Sequence, residues 1–477
     1  MNVLLVSSSL EGGAGGATAR LHGGLRRLGV DARVMVGQAS PDLSPNDAIV
    51  VPRSSFALAL AGLNSLPLGF YRNRDKAEPF SVQAAPDGFS SVIGRLGTDL
   101  VNLHYVCANC VRIETLARLR GPVVWTLHDM WAFTGGCHHN TACRRFTRNC
   151  GGCPVLAGHR AWDLSRWIWR RKAKAYRNLD LSIVTPSAWL ARCARASRLF
   201  GSRRIEVIPN GIDTAVYRPI DRSLARGLLG LPQEGSIVLF AAWRNTPIKG
   251  FHLLVPALER LRTSCHPVVL AVAGFSRPAD YAEPVETRFL GRLNDPLTMA
   301  LAYSAADVYA APSMHDNLPT TVMEAMACGT PCVAFHLEGM PELIEDGRTG
   351  FLAQPFDVDD LAAKLAMVLD TEALRRRLGE TARATAQRRF AIELCSRRYK
   401  ALFEDIKTRD SHLFQKTRDS HLFQKTRDSH LFQTRDSHLF QTRDSHLFQT
   451  RDSHLFQKLG TVTYFRKTRD SHLFQKN

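Results

Sequence analysis

The sequence predicts an α/β protein of two doubly wound parallel-sheet domains facing a cleft, followed by a low-complexity C-terminal tail. Three observations predict it. Short apolar runs alternate with amphipathic helical stretches through residues 2–406, as parallel strands with crossover helices do. The alternation restarts after Ile208-Pro209-Asn210-Gly211. From Thr408 the composition changes abruptly to a repeated octapeptide. The expected division is a Rossmann-like domain over 1–195, a second over 196–390, a closing helix over 391–407 and a disordered tail over 408–477.

The first half opens with a strand at 2–7 (NVLLVS), which runs into Gly12, Gly13, Gly15 and Gly16 and then a helix over 17–28. Strands follow at 32–36, 100–103, 123–127, 181–185 and 205–208, with a helix over 188–199. In the second half a strand at 237–241 precedes an amphipathic helix over 250–263. Strands recur at 268–273, 287–290, 308–311, 332–335 and 351–353, and helices over 361–369, 371–386 and 391–406 close the globular part. Ligands of such sheets bind outside the carboxyl ends of the strands, so the loops there hold the candidate residues.

TRDSHLFQ occurs seven times, starting at Thr408, Thr417, Thr426, Thr434, Thr442, Thr450 and Thr468. One Leu-Phe pair per unit buries too little to repay chain ordering. Seven of the 17 histidines lie here; a metal-binding tract is the sharper reading and a low-complexity extension the plainer one.

The 477 residues are 45% hydrophobic and 22% charged, which excludes wholesale disorder, collagen and a disulfide-stapled miniprotein. Lys+Arg is 62 against Asp+Glu 44, a net +18 of which the tail supplies +6. That excess implies an anionic partner: a phosphorylated substrate, an acidic membrane surface or nucleic acid. The start MNVLLVSSSL lacks a basic n-region, and the longest apolar stretch, 56–71, is broken by Asn64, Ser65 and Pro67. The expectation is a cytoplasmic protein whose 11 cysteines are thiols or metal ligands.

Backbone N–H groups at Gly15 and Gly16 can approach an anion at a helix start. The GGAGG run does not match GxGxxG, and no acidic residue closes the strand at 32–36 to take a ribose; a dinucleotide oxidoreductase is therefore disfavoured. The second half is more specific. Residues 313–331 (SMHDNLPTTVMEAMACGTP) follow a strand and open a helix, with Pro319 suited to its first turn. Free N–H groups near Leu318, Pro319, Thr320 and Thr321 would face phosphate there. Asp316 in the loop and Glu324 on the helix, eight apart, can face one ligand from different heights.

This stretch resembles the acidic-x7-acidic signature of retaining family 4 glycosyltransferases with the GT-B fold. Supporting pieces span residues 1–405: the glycine turn, Thr126-Leu127-His128-Asp129, Pro186-Ser187, 208–213 (IPNGID), Arg244 with Lys249-Gly250, and Leu290-Gly291-Arg292. The set is similar to bacterial enzymes that build exopolysaccharide or lipopolysaccharide chains. The resemblance implies a nucleotide-diphosphate-sugar donor, a glycan or lipid-linked glycan acceptor, and hexosyl transfer with retention and without a catalytic metal. The first domain would take the acceptor side and the second the nucleotide sugar. Arg244 and Lys249 would hold the donor diphosphate and Glu324 its ribose. Asp316, standing where the family usually carries Glu, would contact the donor sugar, as would His128 at a strand end facing the crevice. Glu338 and Glu342 could lie near that sugar. The alternatives are another GT-B activity (a nucleotide-sugar epimerase or a phosphorylase), an inactive GT-B scaffold, or a basic nucleic-acid-binding protein. For the last, no helix-turn-helix, zinc-finger or RNP pattern is present.

Cys137, Cys143, Cys150 and Cys153 form C-x5-C-x6-C-x2-C beside His138 and His139. Four thiolates on one loop can hold a structural zinc; unpaired thiols and an iron–sulfur site remain open, and Cys107-x2-Cys110 could join the cluster. Cys193, Cys265, Cys328, Cys332 and Cys395 read as core residues. Residues 159–177 interleave Trp162, Trp167 and Trp169 with seven Arg/Lys. Such a helix either touches an anionic membrane at the inner face or presents a solvated side with its tryptophans in the core.

Overall fold

The computed structural model describes residues 1–37, 47–51, 62–93, 96–108, 110–139, 142–261, 267–279 and 281–409. Cys265, residues 56–61 of the interrupted apolar stretch and the repeats from residue 410 onward lie outside them.

The first sheet contains β1 (Asn2–Ser7), β2 (Asp31–Val36), β3 (Ala48–Val50), β4 (Leu100–Leu103), β5 (Val123–Thr126), β6 (Leu181–Thr185) and β7 (Arg204–Val207). They pair in parallel in the order β3-β2-β1-β4-β5-β6-β7. The second contains β8 (Ser236–Ala241), β9 (Val268–Ala273), β10 (Thr287–Gly291), β11 (Val308–Ala311), β12 (Cys332–Phe335) and β13 (Gly350–Ala353), ordered β10-β9-β8-β11-β12-β13. Val3, Leu4, Leu5, Val6, Ile237, Val238 and Leu239 have no exposed surface, which is why these strands are continuous apolar runs rather than alternating ones. In both sheets the strand order reverses beside the first strand, between β1 and β4 and between β8 and β11. A ligand crevice is expected at each reversal.

Three features differ from the sequence expectation. The short edge strand β3 was not anticipated. β7 pairs with β6, so a division at 195/196 cuts off the last strand of the first sheet. Helix α1 (Gly12–Arg27) starts five residues before the expected 17, with all four glycines inside it. Gly15 is there because a Cβ would lie 2.4 Å from the Leu10 carbonyl carbon.

Between the sheets the chain passes twice at one place. Ile212 N–H donates to Phe390 O and Ile392 N–H to Ile212 O, both at 2.9 Å. The final helix, 392–409, returns to the first sheet, where Tyr399, Leu402, Phe403 and Ile406 pack with Val3, Leu5, Leu21 and Leu25. Helix α2 (Leu164–Tyr176) matches neither reading of 159–177, membrane contact or a solvated side with its tryptophans in the core, in full. Ile168, Trp169 and Tyr176 are buried, as is Lys172. Arg171 is bound to Glu114 at 2.7 and 2.8 Å, and Trp162 and Trp167 lie exposed under guanidinium groups. No described helix is long and apolar enough to cross a membrane.

Candidate active site

The loops at the carboxyl edges of both sheets enclose a cavity of about 330 Å³. The first sheet contributes the start of α1 (Gly12, Gly13, Ala14 and Gly16), Arg20 and His128. From the second come Ala241–Trp243 after β8, Lys249, Gly274 after β9, and the 316–321 loop. That loop leads into helix α3 (Thr320–Ala327), which adds Glu324. Asp316, Leu318, Pro319, Thr320 and Glu324 thus line one cavity, as their spacing implies. Pro319 stands just before the first helical residue rather than within the first turn. Gly15 turns away toward Leu10, and Arg244 is exposed in the loop after β8, outside the lining. Trp243 lines the cavity instead, with the Arg292 guanidinium 4.3 Å from its ring centroid.

The second-sheet side of the site is an arrangement of opposite charges. Lys249 Nζ lies 2.6 Å from Asp316 Oδ2. Its backbone is fixed by Gly250, at φ +75°, where a Cβ would lie 1.9 Å from Pro312 O; only glycine fits that turn. Glu338 accepts from Asp316 N–H at 2.8 Å and contacts His315 Nδ1 at 2.9 Å. Glu324 Oε1 pairs with Arg20 at 3.0 Å, and Tyr303 donates to Oε2 at 3.1 Å. Glu342 does not lie near these groups: it accepts from Ala188 and Trp189 N–H at 2.6 and 2.7 Å. The next helix, Ala188–Ala196, is thereby capped from the other sheet.

On the first-sheet side, the polar groups form a neutral chain. The Asn102 amide nitrogen donates to Val124 O and Thr126 Oγ1, which leaves its Oδ1 to accept from His104 Nε2–H at 2.9 Å. His104 Nδ1 must then accept from His128 Nε2–H at 3.0 Å, a tautomer assigned from the network. Burial pushes His128 down to about 4 against a smaller opposing pull from Asp129, and pushes His104 well down too. Asn102 and His104 were not among the sequence candidates, although the NLH run closing β4 parallels the TLH run closing β5.

His128, Lys249, Asp316 and Asn317 also line a second cavity of about 270 Å³, together with Asp129, His138, His139, His315, Glu338 and Trp189. Asp129 accepts from His138 Nδ1 at 2.7 Å. His139 stacks on His315, with centroids 5.6 Å apart and planes at 13°. Burial would lower His139, but the hydrogen bond and charge of Glu78, 3.1 Å away, raise it above its ordinary value.

Cys137, Cys143, Cys150 and Cys153 line a separate cavity of about 20 Å³, and all four are free thiols. Cys107 and Cys110 lie instead in the hydrophobic core of the first sheet. Cys328, Cys332 and Cys395 are buried as expected, while Cys193 is half-buried. Among the described residues, no three His, Cys, Asp or Glu side chains already stand where they could share a metal ion.

The glycosyltransferase family 4 model matches residues 11–216, and the model for glycosyl transferases group 1 matches residues 224–385. Between them they take in most of the chain. The chain belongs to glycosyltransferase family 4. Among curated relatives, this family 4 chain is 32% identical to D-inositol 3-phosphate glycosyltransferase of Nocardioides sp. over 197 residues, 37% of the chain and 43% of the relative. The match spans less than half the length of that relative. Sucrose-phosphate synthase from Thermosynechococcus elongatus superposes with a TM-score of 0.61 at 18% identity, covering 85% of this chain and 99% of the other. Anabaena Alr3699/HepE, solved in complex with UDP-glucose, gives 0.59 at 18% identity over 85% of this chain and all of the other. At such identities the likeness is one of fold, and the fold is GT-B.

Proposed function

We propose that this chain is a retaining, metal-independent glycosyltransferase that moves a sugar from a nucleoside diphosphate sugar to a glycan or lipid-linked glycan acceptor in cell-surface polysaccharide biosynthesis. One observation carries the reading: two cavities share a wall made of His128, Lys249, Asp316 and Asn317. A donor in the larger and an acceptor in the smaller would meet at that wall. The UDP-glucose held by the HepE relative supports a nucleotide-sugar donor.

The donor diphosphate would lie against the N–H groups that open α3 and against the Lys249 ammonium, which would leave Asp316 for it. Arg244 would complete the clamp by swinging in from its exposed loop. These cations stabilise the negative charge that grows on the leaving phosphate, the part a divalent metal plays elsewhere. Glu324, held from behind by Arg20 and Tyr303, would accept from the ribose hydroxyls. Asp316 and the His128 imidazole would position the sugar. The bond between C1 and the phosphate oxygen breaks as the acceptor oxygen bonds to C1 on the same face, and the acceptor proton passes to the departing phosphate oxygen.

Incubation with a panel of nucleotide sugars, with and without saccharide acceptors, tests the reading. Transfer should fall about 10²–10³-fold in Lys249→Ala, as when a single charge-stabilising group is removed, and should also fall in Arg244→Ala, with the melting curve intact. Normal turnover in Lys249→Ala would overturn the diphosphate assignment. Product formed without acceptor would point to epimerisation or hydrolysis.

A further inference from the structure

We infer that the loop over 137–153 binds one structural zinc ion through Cys137, Cys143, Cys150 and Cys153, independently of the sugar-transfer reading. The four residues line one small, partly open space of about 20 Å³, together with Met130, Phe146, His139, Arg145 and Ser165. Zinc takes four thiolates tetrahedrally. In the structure the sulfurs surround the space rather than meet in it.

Burial pushes the Cys137, Cys150 and Cys153 thiols up, so zinc would have to displace their protons on binding. Cys153 receives backbone hydrogen bonds from Val155 and Leu156 and Cys150 one from Gly135, while the Thr134 hydroxyl donates to the Cys137 carbonyl at 2.6 Å. Amide donors aimed at sulfur are the outer-shell support that orients metal ligands and steadies their charge. The Cys150-Gly151-Gly152 turn runs through three successive left-handed residues, φ +53°, +97° and +57°. Side chains at the two glycines would collide with Ala161 O and with the Arg145 guanidinium. Arg145 donates to the carbonyls of Gly151 and Gly152, and Arg166 to that of Cys150 at 3.1 Å. The turn is therefore clamped from outside, with its two cysteines facing the shared space.

A further sign is Lys172. Its side chain has no exposed surface, its ammonium donates to Trp131 O and Thr134 O, and it forms no ion pair with a carboxylate among the described residues. Burial pulls this ammonium down to about 7 against opposing pulls from Cys107, Cys137, Cys150 and Asp129, and the net −2 of zinc with four thiolates would favour its charged form.

The test is metal analysis of the full chain purified without added metal and washed with EDTA. About one zinc per chain should survive the wash and be released by a thiol-specific mercurial, as strong structural sites require; zinc on the tail histidines would leave with EDTA. Cys143→Ser and Cys150→Ser should lose the retained zinc and Cys193→Ser should keep it. If the serine variants do not fold, cobalt exchange into the wild-type chain decides. Sulfur-to-cobalt charge-transfer absorption supports the site, and its absence overturns it. Only EDTA-labile zinc, iron in place of zinc, or four thiols freely titratable in the folded chain would each overturn the inference.

Discussion

The two sheets bring different chemistry to the shared wall. On the second-sheet side the charged groups are paired, Lys249 with Asp316 and Glu324 with an arginine borrowed from the first lobe, and Glu338 lies against His315. The first-sheet side offers an uncharged chain from Asn102 through His104 to His128. A paired charge can exchange its partner for an incoming ion at modest cost, because its desolvation is already met. A neutral imidazole fixed by one hydrogen bond keeps its orientation and can serve a hydroxyl. The contrast is between a half suited to a dianion and a half suited to an alcohol.

The strongest way to break this contrast is to strip a carboxylate from the charged half. Glu324→Ala leaves Arg20 and the Tyr303 hydroxyl without their acceptor, and hydrogen bonds to charged groups are worth about 1.5–3 kcal/mol each. Donor KM should rise about 10–100-fold on that basis; an unchanged donor KM, measured at saturating acceptor, would remove Glu324 from the donor site. Next comes backbone. Gly250→Ala drives a Cβ toward Pro312 O, so the melting temperature should fall by several degrees, about 1–3 kcal/mol, with Lys249 displaced and donor binding weakened together.

Acid sharpens the comparison from the other half. His128 and His104 have folded values below the ordinary 6.5, so the unfolded chain binds more protons between that value and about 4. Their stabilising contribution is complete above 6.5 and is lost as pH falls toward 4. His139, whose value is raised, contributes in the opposite sense: its share is present at low pH and is lost as pH rises through its folded value. Melting temperatures recorded from pH 7 to 4.5 should therefore decline, and less steeply in His104→Gln than in the wild type. The smallest effect belongs outside the contrast: Trp162→Ala, at an exposed ring, should change stability within about 0.5 kcal/mol.

The sequence exposed what is local. Buried parallel strands announce themselves as apolar runs, and the 313–331 segment keeps its loop, helix and two carboxylates within one stretch, so their common cavity follows from spacing. What it could not expose depends on distant register. Arg20 meets Glu324 across 304 positions, and nothing near either residue encodes the meeting. Glu342, expected near the site from its position, is instead spent on a helix start in the other lobe. Arg244 belongs to a recognisable motif, yet its exposed loop holds it outside the lining. The three-residue β3 is too short to carry a pattern.

The doubled crossing at Ile212 and Phe390 has a mechanical corollary. Two polypeptide segments bonded side by side act as one spine, in the manner of a bound book. Any opening between the lobes would bend these two segments together.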